Sequence, residues 1–205
     1  MPNWCFTSIT IGHKDKDRLI DFYNKIEGWL KKSYKPNDFD SYSEGWLGNI
    51  VGNANLSNWD NAKGDFATNI RCRGYVTNLE LSGNSIHINT ETAWGPMMKM
   101  WDLLCKKYLE DAEIWFTADE PGNCVYVSND PDTIGKYNIE MYDEPPEGYE
   151  EIDNDWEVSE KGAVEILQKA FKTEESDISK LIEMAEESGW IAVNQYSQLE
   201  LSECE

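Results

Sequence analysis

The sequence predicts an α+β fold, an antiparallel sheet with two helices on one face. Three observations point there. Residues 3–11 alternate, with Cys5, Thr7, Ile9 and Ile11 on one side and Trp4, Phe6, Ser8 and Thr10 on the other, as in a strand with one buried face. Two stretches, near 19–30 and 97–108, place apolar residues at helical spacing. Strand signals flank both stretches.

The elements follow in order. Leu19, Phe22, Tyr23, Ile26 and Leu30 share one helical face, after a polar first turn from Lys14 to Arg18. Residues 33–66 read as a long insertion. Gly45, Gly48, Gly52 and Gly64 interrupt it, and Asn37, Asn49, Asn53, Asn55, Asn58 and Asn61 favour turns. Trp46, Leu47, Ile50, Val51 and Trp59 indicate that parts of it pack on the body, and insertions of this length are often functional. A strand is expected at 67–81, through Ile70, Cys72, Tyr75, Val76, Leu79 and Leu81. Ser82-Gly83-Asn84 then turns the chain into a second strand at 85–92, making a hairpin. Gly95-Pro96 opens a helix whose inner face is Met97, Met100, Trp101, Leu104 and Tyr108. Strands at 112–118 and 124–128 flank the turn Pro121-Gly122-Asn123, and 136–142 could add another. Two β-α-β units sharing one antiparallel sheet form the split arrangement of the ferredoxin-like fold. The expected domain is 1–142, with its insertion at 33–66.

Charge divides the chain. Its 205 residues include 39 acids and 18 bases, a net charge of −21. Residues 1–110 hold 13 acids and 13 bases, whereas 111–205 hold 26 acids and 5 bases. The densest run is Asp143, Glu144, Glu147, Glu150, Glu151, Asp153, Asp155 and Glu157, read as an acidic linker over 143–157. An acidic helical extension over 158–205 follows. Ser159 caps one helix, with Ala163, Ile166, Leu167, Ala170 and Phe171 inward. Thr173 or Ser176 caps the next, with Ile178, Leu181, Ile182 and Ala185 inward and Gly189 at its end. Trp190 to Tyr196 could close as a strand. Segment 158–196 either packs on the sheet or forms a small acidic subdomain. Glu183, Glu186 and Glu187, with the acids of 143–157, make an acidic surface that is either a solvated face or an imitation of the charge of DNA.

Composition excludes several classes. Aromatics make up 12% of the chain, too many for a disordered segment. No apolar run approaches the roughly 20 residues that span a bilayer, so no membrane partner is expected. Met1-Pro2-Asn3-Trp4-Cys5 lacks a basic and then an apolar region, so no secretory signal is expected. Lys and Arg are too scarce for direct nucleic-acid binding. The cysteines are five, an odd and scattered set, which points to free thiols in the cytoplasm.

Certain residues resemble a known family. The opening Met1-Pro2-Asn3-Trp4-Cys5, the segment Thr90-Glu91-Thr92-Ala93-Trp94-Gly95-Pro96 before an amphipathic helix, Tyr108 leading into a strand and then Glu120-Pro121-Gly122 are similar to the YubB-type ferredoxin-like proteins. Those are encoded by phages, plasmids and prophages and have no assigned activity. The resemblance spans about residues 1–130 and implies a ferredoxin-like domain carried on a mobile element in a bacterial host. It brings no catalytic residues, and the acidic C-terminal part falls outside it.

Chemical motifs are sparse. Asp153-Asn154-Asp155 starts like a calcium loop, but Val158 and Val164 occupy the positions that need Gly and Glu. Asp130 to Gly135 has the Gly, but Ile134 and Met141 cannot coordinate. Zinc spacings are missing, and only His13 and His87 could serve Cys5 as a base. No glycine-rich phosphate loop occurs. No metal, no cofactor and no catalytic residue is therefore expected. The aromatics remain. Trp4, Phe6, Trp115 and Tyr126 are expected on the helix-free face of the sheet, where RNA-binding relatives of this fold stack bases. Here the C-terminal helices or a partner chain are expected to cover them. With Trp94 they are the candidate partner-binding residues. The leading expectation is a non-enzymatic protein-binding module, bound to another protein or to a second copy of itself. The alternatives are an acidic DNA-mimic inhibitor of a host DNA-binding protein, and a hydrolase with a carboxylate pair near the 33–66 insertion.

Overall fold

A computed structural model describes residues 3–34, 44–60, 65–66 and 70–203. The chain is an α+β protein that divides into two compact units, residues 1–125 with 199–205 and residues 126–198.

In the first unit, strand β1 (Trp4–Gly12) leads to helix α1 (Lys16–Lys31). Asp15 caps α1 by accepting from the N–H groups of Asp17 and Arg18. Its buried stripe is Leu19, Phe22, Ile26 and Leu30. The insertion contributes helix α2 (Leu47–Asn53) and the two-residue strands β2 (Trp59–Asp60) and β3 (Asp65–Phe66), which pair antiparallel. Nearly all of α2 is buried, so this part of the insertion is core. Glycine makes that packing possible: a Cβ on Gly48 would lie 2.2 Å from the Trp46 ring, and one on Gly52 2.3 Å from the Tyr34 ring.

Strands β4 (Gly74–Ser82) and β5 (Ser85–Ala93) form the expected hairpin, with Gly83 left-handed at φ +60. The strand expected at 67–81 begins only at Gly74, and 67–69 lie outside the described residues. Helix α3 (Met98–Tyr108) starts after Pro96 rather than at it, with Met97 as N-cap. Strand β6 (Glu113–Glu120) completes the unit's sheet, in which neighbours run β6-β1-β5-β4 and every pairing is antiparallel. The free edge of β4 is occupied by the insertion: Val76 N–H donates to Gly45 O at 2.8 Å, and Trp46 bridges Tyr75.

One sheet face makes the core. Cys5, Thr7, Ile9 and Ile11 of β1, Ile86 and Ile88 of β5, and Ile114 and Phe116 of β6 are buried there, as are the inner faces of α1 and α3. Each buried aliphatic or Phe side chain contributes about 1.5–3 kcal/mol of transfer free energy.

The second unit has its own core. Strand β7 (Val125–Ser128) pairs in parallel with β11 (Ser197–Gln198). A three-stranded sheet runs β10-β8-β9, from β8 (Tyr137–Met141), β9 (Asp155–Val158) and β10 (Ile191–Gln195). Helices α4 (Glu160–Phe171) and α5 (Ile178–Ser188) supply Leu167, Ala170, Leu181 and Ala185 to a cluster with Ile139, Trp190 and Ile191. Ser159 caps α4 by accepting from Gly162 N–H, and Gly189 ends α5 at φ +70. The cap of α5 is Asp177, not Thr173 or Ser176. The acidic stretch 143–157 belongs to this unit: Ile152 is in the cluster and β9 lies at its end.

Candidate functional site

The opposite face of the first unit's sheet is a candidate interaction surface. Register fixes its layout, because residues paired across an antiparallel ladder share a face. One row reads Tyr75, Glu91, Phe6, Asp119. The next reads Asn78, Asn89, Ser8, Thr117, and the third Glu80, His87, Thr10, Trp115. Trp4 extends β1 past the first row, and Glu113 follows Trp115 on β6. Rows are roughly 6.7 Å apart, so Phe6 and Trp115 stand roughly 13 Å apart along the strands.

Trp4 is 40% exposed, Phe6 50% and Trp115 39%. Leaving three large aromatics half exposed on one face forgoes burial free energy, and exposed aromatic surface of this kind marks contact sites. Tyr75 is exposed beside them. The strand positions of this face carry Glu80, Glu91, Glu113 and Asp119 and neither Lys nor Arg. His87 is tied to its neighbour, with Nδ1 3.2 Å from Thr10 Oγ1. A groove of about 490 Å³ opens at the Trp115 end, lined in part by Thr10, Lys14, Ser85, Asp111 and Glu113. Lys14 and Asp111 pair across it at 3.6 Å, both exposed.

Trp94 stands apart from these rows. It is 53% exposed and holds a left-handed backbone, φ 74. Its N–H donates to Asn3 O at 2.9 Å, and Thr92 Oγ1 donates to Gly95 O at 2.8 Å. A Cβ on Gly122 would lie 2.5 Å from Asn3 Nδ2 and 2.9 Å from Glu120 Oε1. Three of the four sequence features that carry the family resemblance, all but Tyr108, thus meet at one end of the sheet.

Tyr126 departs from the expectation. It lies in the second unit, is only 3% exposed, and packs edge-on against Tyr196 at 5.9 Å. The acids Asp143, Glu144, Glu147, Glu150, Glu151, Asp153, Asp155 and Glu157 are all exposed, as are Glu183, Glu186 and Glu187 on one side of α5. Glu150 approaches Lys169 at 3.9 Å and Glu157 approaches Lys136 at 4.0 Å. The Glu175 side chain accepts from Ser176 and Asp177 N–H and pairs with Lys180, which holds its carboxyl below the usual range.

The buried thiols Cys5 and Cys105 are poor nucleophiles. Burial pushes Cys5 up to about 11 and Cys105 up to about 12, so both are protonated at neutral pH. Cys5 points to the core face and His87 to the opposite one. His13 is committed to the backbone: Nδ1 accepts from Asp15 N–H at 3.0 Å and Nε2 lies 3.1 Å from Glu110 O. Among the described residues no three His, Cys, Asp or Glu side chains converge on a metal position. No helix among them is long and apolar enough to cross a membrane.

Set against known proteins, the chain matches no family model, no curated protein and no solved structure. Sequence reasoning missed Tyr75, Glu91 and Glu113 as parts of the face. The signal for the last two was present in the alternation of β5 and β6. Tyr75 was hidden by the register shift between Val76 and Asn78.

Proposed function

We propose that this protein is a non-enzymatic protein-binding module of the bacterial cytoplasm, and that it contacts its partner through the open face holding Trp4, Phe6, Tyr75 and Trp115. The observation that carries this reading is the exposure of those aromatics on a sheet face whose other side is a complete core. The reading includes a split β-α-β, ferredoxin-like first unit, supported by the strand order β6-β1-β5-β4 with α1 and α3 as its connecting helices. It also includes kinship with the YubB-type proteins of mobile elements, supported by the meeting of Asn3, Trp94 and Gly122.

The test is site-specific photo-crosslinking in bacterial cells that express the full chain. A benzophenone amino acid at Phe6 or Trp115 gives discrete adducts with protein, and the same probe at Glu183 gives none. Equal adducts at all three positions, or none at Phe6 and Trp115, would remove the open face as the contact surface.

A further inference from the structure

The open face also indicates what kind of partner it takes. We propose that it binds an extended, Arg-rich segment of a different protein, one cationic side chain lying over Trp115 in the groove beside Glu113 and another over Phe6 beside Glu91. This rests on the reading of the face as a protein-binding surface and names the partner's chemistry.

Charge complementarity selects the occupant. The face alternates aromatic and acidic side chains, as in the row Tyr75, Glu91, Phe6, Asp119, and its strand positions carry neither Lys nor Arg. An aromatic ring flanked by a carboxylate is a good seat for a guanidinium, which stacks on the ring and donates to the acid. Glu80, Glu91 and Glu113 have no ion-pair partner among the described residues, so their charge is available. A second copy of this chain fits poorly, because face against face would set the strand acids opposite one another, and Lys14 at the groove is already paired with Asp111. Nucleic acid fits poorly for the same reason, since phosphate meets carboxylate. The groove gives the cation at the Trp115 end a place to enter. An extended segment has the right period: alternate residues repeat roughly every 6.7 Å, so positions i and i+4 reach the Phe6 and Trp115 rows.

The test must separate this face from the general field of a chain with net charge −21. The probe is a fluorescent eight-residue peptide of alternating Ala and Arg, titrated by anisotropy into the full-length protein at about 0.15 M salt, where the screening length is about 8 Å. Its citrulline counterpart is the uncharged control. Wild type and Glu183→Gln/Glu186→Gln bind the Arg peptide within a factor of two of each other. Glu91→Gln/Glu113→Gln, which removes the same charge from the face, weakens binding about tenfold, as does Trp115→Ala, in keeping with cation–π and hot-spot energies. The citrulline peptide binds at least as weakly as those variants. Equal weakening by the two charge-matched pairs overturns the proposal, because it would reduce the binding to net charge. Equal binding of the citrulline peptide, or no binding by wild type, also overturns it. If crosslinks at Phe6 and Trp115 persist in cells while the Arg peptide fails, the face still binds protein and only the partner's chemistry is wrong. Sedimentation showing a dimer that Phe6→Ser dissolves would assign the face to a second copy.

Discussion

The N–H of Trp94 donates to the carbonyl of Asn3 at 2.9 Å, tying the end of β5 to the start of β1. That bond holds an exposed tryptophan in the left-handed region, at φ 74, where a residue with a Cβ is strained by about 1–2 kcal/mol. Trp94→Gly relieves the strain and adds unfolded-state entropy of similar size. Its urea midpoint should stay close to wild type, while the β-branched Trp94→Val should lower stability by about 1–2 kcal/mol. A Trp94→Val variant as stable as wild type would mean the backbone there is not strained.

Gly52 supplies a prediction opposite in sign to helix propensity. It sits inside α2, where Ala is intrinsically better by about 1 kcal/mol. A Cβ at that position would meet the Tyr34 ring at 2.3 Å. Gly52→Ala should therefore lower stability, by about 1–3 kcal/mol for an overpacked site. Pairing it with Tyr34→Ala should recover part of the loss attributable to the clash. A stabilised Gly52→Ala single variant would refute the packing.

Buried thiols give the fold an alkaline limit. Cys5 and Cys105 rise from 9.0 to about 11 and about 12, each chiefly through burial. The folded state keeps protons that the unfolded chain releases, so stability is fully present below about pH 9 and falls as pH climbs through those values. Urea midpoints should decline from about pH 9 to pH 10.5, and the decline should be shallower in Cys5→Ala/Cys105→Ala. A thiol reagent at pH 8 should label the exposed Cys124 while leaving Cys5 and Cys105 unmodified in the native protein. Rapid labelling of Cys5 would contradict its burial.

Leu181 tests the second unit. It is fully buried among Leu167, Ala185 and Ile139. Leu181→Ala should cost about 2–5 kcal/mol. A loss under about 0.5 kcal/mol, the size of an ordinary surface change, would show that this core is not packed as described.

What the sequence revealed followed periodicity. The alternation of β1 assigned Cys5, Thr7, Ile9 and Ile11 to the core and left Trp4 and Phe6 outside, and the burial agrees residue by residue. The stripes of α1 and α3 were legible for the same reason. Tyr126 was not, because Tyr126, Val127 and Ser128 of β7 are all buried, and a strand enclosed on both sides has no alternation to read. Helix α2 was hidden by its own composition. Its glycines and asparagines signal turns, yet Gly48 and Gly52 are there to admit the rings of Trp46 and Tyr34, and Asn49 accepts from Tyr34 N–H at 2.9 Å. The cap at Asp177 lost out in the sequence to Thr173 and Ser176, since a local network around Glu175 decides between neighbouring cap candidates.

The central claim is that one face of the first unit's sheet folds the domain while the other binds. The most direct measurement compares the folding stability and the cellular crosslinking of one variant, Phe6→Ser/Trp115→Ser, with a photo-probe at the neighbouring Ser8. If one face folds and the other binds, the urea unfolding free energy falls by no more than about 2 kcal/mol, as expected for two half-covered rings, while the protein adducts are lost. A stability loss above about 3 kcal/mol, typical of core aromatics, or adducts that survive unchanged, would contradict the claim.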